Sequence, residues 1–243
     1  MRKPSVSLAV ALGLVAAAPA LADDWKMVIT VDNQYDIYFG TPLTTTLHAG
    51  GDNNWFSTET WYAYGRAPTD YLYVATASDH NVAQGFIGEF TNLTLGLSIE
   101  TGDLVWEVFP AGKYLHQIDP SWPSPWPASL MPTQAQVDQA INFATNNSLW
   151  VAPTKKPGYD NASSPSPWGT RPGIPGSAYW IWYDSGNDPF VNPYIPVPYS
   201  GFNHHEFLIF RVPGIVPEPA TAFMAAGLGG LALVRRRRTG RLA

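Results

Sequence analysis

The chain has no cysteine among its 243 residues, so no disulfide framework can hold it and its stability has to come from a hydrophobic core. Charge is also scarce, with Asp, Glu, Lys and Arg together making 14% of the residues, and it is unevenly placed. Residues 23–213 hold only 7 of the 14 basic side chains but 18 of the 19 acidic ones, a net charge of −11. A body that acidic, with no basic stripe, argues against nucleic acid and anionic lipid headgroups as partners. The sequence contains no Gly-rich phosphate loop, nucleophile elbow, His-x-x-x-His pair or internal repeat, which removes the readiest signs of nucleotide, serine-hydrolase and zinc chemistry.

The body is also poor in Lys, Glu and Leu, the residues of ordinary helices, and rich in Trp, Tyr, Thr and Val, with Pro and Gly at short intervals. That composition predicts an all-β fold of short strands, and about 190 residues suffice for one core. Strands are expected at 27–31 and 35–39 as a pair around the turn Asp32, Asn33, Gln34. A turn-rich stretch, 40–54, then leads to an aromatic segment at 55–64. Further strands are expected at 70–77 and 85–93, followed by a hairpin of 97–99 with 104–109 across residues 100–103. The one helix candidate is 134–146. There Thr133 and Gln136 have capping-box spacing, and Val137, Ala140, Ile141 and Ala144 share one face. Residues 119–132 and 152–176 are so dense in Pro, Ser and Gly that they read as long surface loops or extended arms.

An Asp-Asn-x-Tyr turn at Asp32, Asn33 and Tyr35, a Val/Ala strand at 71–75, a Gly-led strand ending in an acid at 85–89 and a strand bearing Trp106 resemble galactose-binding-like domains, including the accessory modules of rhamnosidase-type glycosidases. The resemblance implies a jelly-roll β-sandwich. In that family a Trp-Ile-Trp strand and a Phe-Arg strand come first, whereas here Trp180, Ile181 and Trp182 and the segment 207–212 come last. A circular permutation would explain this order, and it would place 207–212 beside 27–31 or one strand away.

Both ends carry signals. Arg2 and Lys3 precede an apolar run at 6–18, and Ala20-Leu21-Ala22 before Asp23 has the small-x-small form of a signal-peptide cleavage site, giving a signal peptide at 1–22; an uncleaved anchor is the alternative. At the other end Pro217, Glu218 and Pro219 precede an uncharged run at 220–234, then Arg235, Arg236, Arg237 and Arg238. This tail, 214–243, resembles the PEP-CTERM sorting signal, which implies an exosortase-type processing enzyme as partner. Fifteen helical residues span only ~22 Å, short of the ~30 Å hydrocarbon core, although arginine snorkelling and local thinning accommodate such a span. The tail is therefore read as a membrane helix with its arginines in the cytoplasm, against the alternative of a buried helix of the domain.

For ligand binding, Trp122, Trp126 and Trp168 on the proline-stiffened loops are the candidates, because flat indoles can stack on a sugar ring's C–H face; the alternative is that they fold back and staple the loops. A hydrolase would need two carboxylates across one bond, drawn from Glu59, Glu89, Glu100, Glu107 and Glu206. His204, His205 and Glu206 do not make a metal site, since adjacent strand residues face opposite ways. No cofactor is expected beyond a possible structural calcium, with Asp52, Asn53 and Asn54, or Asp184, Asn187 and Asp188, as candidate ligands or simply solvated turns. These readings converge on an exported, non-enzymatic envelope or exopolysaccharide-matrix protein, glycan-binding or structural. The alternative is a small secreted carbohydrate-active hydrolase.

Overall fold

Successive residues of a strand face opposite sides, and this sets the layering: β-strands such as 71–77 and 208–212 are buried on both faces and so lie between two packed layers. The computed structural model describes residues 22–80, 84–183 and 207–214. Their elements are β1 (Asp23–Asp32), β2 (Gln34–Gly40), β3 (Thr45–Asp52), β4 (Glu59–Arg66), β5 (Tyr71–Ala77), β6 (Gly85–Asn92), β7 (Leu97–Glu100), β8 (Glu107–Pro110), α1 (Leu115–Ile118), α2 (Gln134–Asn146), β9 (Thr154–Asp160), β10 (Tyr179–Trp182) and β11 (Leu208–Val212). The strands form two antiparallel sheets. The first has the order β4-β1-β6-β10-β9, with β7 also paired to β6, and the second has the order β3-β2-β5-β11-β8.

One set of alternate residues fills the space between the sheets: Trp25, Met27, Ile29 and Val31 from β1, Ile37 and Phe39 from β2, Leu72 and Val74 from β5, and Leu208 and Phe210 from β11. The opposite set on the second sheet, Tyr38, Tyr73, Ala75, Phe109 and Ile209, forms another core with Val137, Ala140, Ile141 and Ala144 of α2. The molecule is therefore a sandwich with a helix and loop layer over one outer face. α2 begins at a capping box in which the Thr133 N–H donates to Gln136 Oε1 at 2.9 Å and Thr133 Oγ1 accepts from the Gln136 N–H at 3.4 Å. It is tied to the sheet edge by Asp138, whose Oδ1 accepts from the N–H of Thr45 at 2.6 Å and from its hydroxyl at 2.8 Å. The expected helix and its buried face are thus observed.

Several connections differ from expectation. Segments 27–31 and 35–39 are strands but not partners, since β1 and β2 lie in opposite sheets; both direct a buried set at the same core, so the chain crosses the end of the sandwich between them. The hairpin expected over 97–109 is also split, because β7 pairs with β6 whereas β8 pairs with β11. Trp106 fills the crossing, with its edges against Phe86 and Phe90 and its Nε1 donating to Glu100 O at 2.9 Å. The turn-rich reading of 40–54 gives way to β3, an edge strand in which Gly50 leaves room for the Trp61 ring; a Cβ there would lie 2.3 Å from it. Part of the 152–176 loop is β9, whose Pro157 is accommodated because the strand is at an edge. Finally, β11 sits between β5 and β8 in the second sheet and β1 lies in the first. The neighbourhood required by a permuted strand order is not formed.

Candidate functional site

The loop tryptophans all point inward. Trp122, Trp126 and Trp168 are 6%, 2% and 4% exposed, so none presents a platform to a ligand. Trp122 and Trp126 meet edge to face at 5.7 Å, and Trp126 packs 5.0 Å from Phe207 while its Nε1 donates to Leu130 O at 2.6 Å. These two rings close the 119–132 loop over the second sheet. Trp168 lies over the outer face of the first sheet, stacked on Trp180 at 4.3 Å with an interplanar angle of 14°. The energetic reason is simple: an indole buries ~150–250 Å², worth roughly 4–6 kcal/mol at ~25 cal/mol per Å², and a proline-stiffened loop gives up little entropy to deliver it.

Under Trp168 sits a buried carboxyl group. Trp168 Nε1 donates to Asp32 Oδ2 at 2.8 Å. Burial pushes the Asp32 carboxyl up from the ordinary 3.8 to about 7; the Trp168 bond opposes the rise, Asp79 adds to it and Arg171 opposes it. The Arg171 guanidinium lies 5.3 Å from the Trp55 ring centroid and 5.9 Å from that of Trp180, and donates to Phe56 O at 2.9 Å. Desolvation lowers its pKa. This cluster pins the 161–178 loop to the sheet, with the Arg171 N–H donating to Asn161 Oδ1 at 2.6 Å.

The carboxylates fall into separate settings. Burial raises the Glu59 pKa, a bond from Ser57 opposes this, and Asp52, within hydrogen-bonding reach, raises it further. The Tyr35 hydroxyl donates to Glu59 at 3.3 Å and accepts from Trp61 Nε1 at 3.0 Å. Glu107 pairs with Arg211 at 2.7 Å. Glu89 and Glu100 stand directly opposite each other across β6 and β7, which places their Cβ atoms ~5 Å apart on one face. Glu206, with His204 and His205, lies outside the described residues. Of the calcium candidates, Asp52 and Asn54 turn side-chain oxygens to their own loop, accepting from the N–H groups of Asn53 at 2.6 Å and Phe56 at 3.3 Å; Asp184, Asn187 and Asp188 lie outside the described residues. Among the described residues no three His, Asp or Glu side chains cluster in a way that could hold a metal ion.

Two of the open surfaces among the described residues bear polar or aromatic side chains suited to a ligand. On edge strand β4, Tyr62 and Tyr64 are 48% and 63% exposed, their rings parallel to within 3° and 6.1 Å apart. The second is a groove of about 480 Å³ between the outer side of α2, the loop bearing Leu43 and Thr44, and Ile118 of α1. Its floor consists of two rows at four-residue spacing, Asp138-Asn142-Asn146 and Gln139-Phe143-Asn147. The sequence reading did not single out these residues, although the signal was present: apart from Asp138, α2 carries no charged residue at all.

Both described ends of the domain leave from one pole. Ala22 is exposed and Asp23 opens β1 opposite Arg66. At the other end Gly214 rests on the β4–β5 turn, where a Cβ would be 2.6 Å from Thr69 C and 2.8 Å from Pro68 O. The chain beyond it carries the remaining signal. Residues 216–238 match the PEP-CTERM protein-sorting motif. The match contains Pro217, Glu218, Pro219 and Arg235, Arg236, Arg237 and Arg238, all outside the described residues, as is Ala20. A PEP-CTERM signal marks a protein that an exosortase processes and that is exported through the membrane to the cell envelope or extracellular space. Neither a curated protein nor a solved structure matches the chain.

Proposed function

We propose that this chain is a non-enzymatic surface or matrix protein, sorted through its PEP-CTERM tail and then acting in the envelope or exopolysaccharide by holding glycan. The observation that carries the reading is the sorting motif at 216–238, which follows within four residues the last described strand of a sandwich without cysteine. Residues 220–234 serve as the membrane helix of the intermediate, with Arg235 to Arg238 cytoplasmic and Pro217 to Pro219 outside. The body's charge of −11 disfavours acidic polymers and leaves neutral ones. Retention of the protein on the host's own exopolysaccharide tests the reading; no retention on any glycan leaves only a structural role.

A small hydrolase is the second reading, and its specific support is the Glu89–Glu100 pairing, which sets two carboxylate side chains side by side on one face of the first sheet, as a glycosidase's carboxyl pair requires. Reducing-sugar release from the same polysaccharide, lost in Glu89→Gln and in Glu100→Gln, would establish it.

A further inference from the structure

We infer that the groove on α2 is a binding site for a neutral polysaccharide segment. The proposal deepens the glycan reading and rests on it, but it names a site that the loop tryptophans do not provide. The exposed side of a surface helix normally carries Lys and Glu, which are good helix formers and pair at four-residue spacing. α2 departs from this. Its exposed positions are Gln134, Ala135, Gln139, Asn142 and Asn146, and Asn147 caps its end; asparagine is a poor helix former, so the two asparagines cost helix stability where solvation alone would not require them.

The chemistry of the lining suits a polyol. A side-chain amide both donates and accepts, as a sugar hydroxyl does, whereas ammonium, guanidinium and carboxylate groups each do only one. No Lys or Arg lines the groove, which leaves an acidic glycan without a counter-charge. The one carboxylate, Asp138, has Oδ1 engaged by both donors of Thr45. Asn146 Nδ2 donates to Asn142 Oδ1 at 2.9 Å, which orients the Asn142 amide with its two N–H donors available to the groove. Phe143, Ile118 and Leu43 supply apolar contact for the C–H faces of a sugar ring. At about 480 Å³, the groove is within the range of small-ligand sites and takes a segment of two or three sugar rings.

The test is affinity electrophoresis of the full-length chain in mild detergent through gels containing dextran, galactomannan or alginate. The wild-type protein is expected to be retarded by at least one of the two neutral polymers and not by alginate. In Gln139→Glu/Asn142→Asp the shape and the acceptor for Asn146 are kept while amide donors are removed, and affinity is expected to fall at least about tenfold. Tyr62→Ala/Tyr64→Ala, on the other open surface, is expected to bind as wild type. Retardation by a neutral polymer that is unchanged in the α2 variant, or lost in the tyrosine variant, overturns the groove and leaves the glycan reading standing. Retardation by alginate alone overturns the neutral assignment. No retardation by any polymer overturns both the groove and the glycan reading. Unchanged circular dichroism of the α2 variant separates lost binding from lost folding, and Gln139→Ala, expected to weaken binding less than the double variant, provides a second measure.

Discussion

Replacing Asp32 with Asn should stabilise the protein at neutral and alkaline pH and do nothing in acid. The Asp32 carboxyl is buried on the outer face of the first sheet, and burial raises its pKa to about 7 in the fold against an ordinary 3.8. Between these values the native state holds a proton that the unfolded chain has released, so stability falls as pH rises through the window, by ~1.4 kcal/mol per pH unit. Three such units set a ceiling of about 4 kcal/mol above pH 7. The bond from Trp168 and the attraction of Arg171 favour the charged form and are already offset against the burial cost. In Asp32→Asn the amide oxygen still accepts from Trp168 Nε1, and no charge forms. The variant should therefore match the wild type near pH 4 and exceed it by about 2–4 kcal/mol at pH 8, or roughly 5–15 °C in Tm for a domain of this size. Paired thermal and urea melts at pH 4.5, 6 and 8 measure the difference, and the subtraction cancels groups that do not interact with Asp32, Asp36 and Glu59 among them. An offset that does not change with pH, or a variant less stable at pH 8, would refute the reasoning.

Arg211 is held between Glu107 at 2.7 Å and the Trp150 ring, 3.8 Å from its centroid, with Tyr71 at 5.1 Å; Arg211→Met should cost about 2–3 kcal/mol in urea melts, and Arg211→Lys should recover less than half, because an ammonium lacks the planar face that stacks. At Gly85 a Cβ would lie 2.7 Å from Trp180 and 3.0 Å from Trp168, so Gly85→Ala should separate the stacked rings, cost about 1–3 kcal/mol and change the near-ultraviolet circular dichroism. Deleting residues 217–243 should release a folded domain past the inner membrane, as fractionation would show; a truncated form that stays membrane-bound would place the anchor elsewhere.

Local physics made some elements legible. α2 was readable because Thr133, Gln136 and the 137-140-141-144 stripe are a cap and a period within one segment, and β5 and β6 because long apolar runs bounded by turns have few alternatives. Pairing was less legible. Asp32 to Gln34 suits a tight hairpin and equally a crossing between sheets, and the choice depends on where the core sets of β1 and β2 meet. The same holds for 97–109, where Trp106 looks like one more strand residue yet is the side chain that fills the crossing. Gly50 and Gly51 resemble a turn in sequence, but β3 needs them for the close approach of Trp61 and Asp36. For Trp122, Trp126 and Trp168, residue type alone left platform and staple both open, and burial energy favoured the staple. The α2 groove was obscured because its amides are ordinary one by one; their meaning lies in the missing charges around them.

β11 is the last strand among the described residues and yet a central one, hydrogen-bonded to β5 on one side and β8 on the other. Without residues 208–212 the second sheet would divide into β3-β2-β5 and an isolated β8, and the edges of β5 and β8 that now face β11 would keep unsatisfied N–H and C=O groups. The keystone and the address label are neighbours: Val212 is four residues before Val216, where the sorting match begins. A cut anywhere beyond Gly214 would leave every strand of the second sheet in place. The three residues from Gly214 to Pro217 reach ~10 Å at full extension, so the sorting motif starts within that distance of the pole where both described ends emerge, and Phe56, 72% exposed, belongs to the opposite pole.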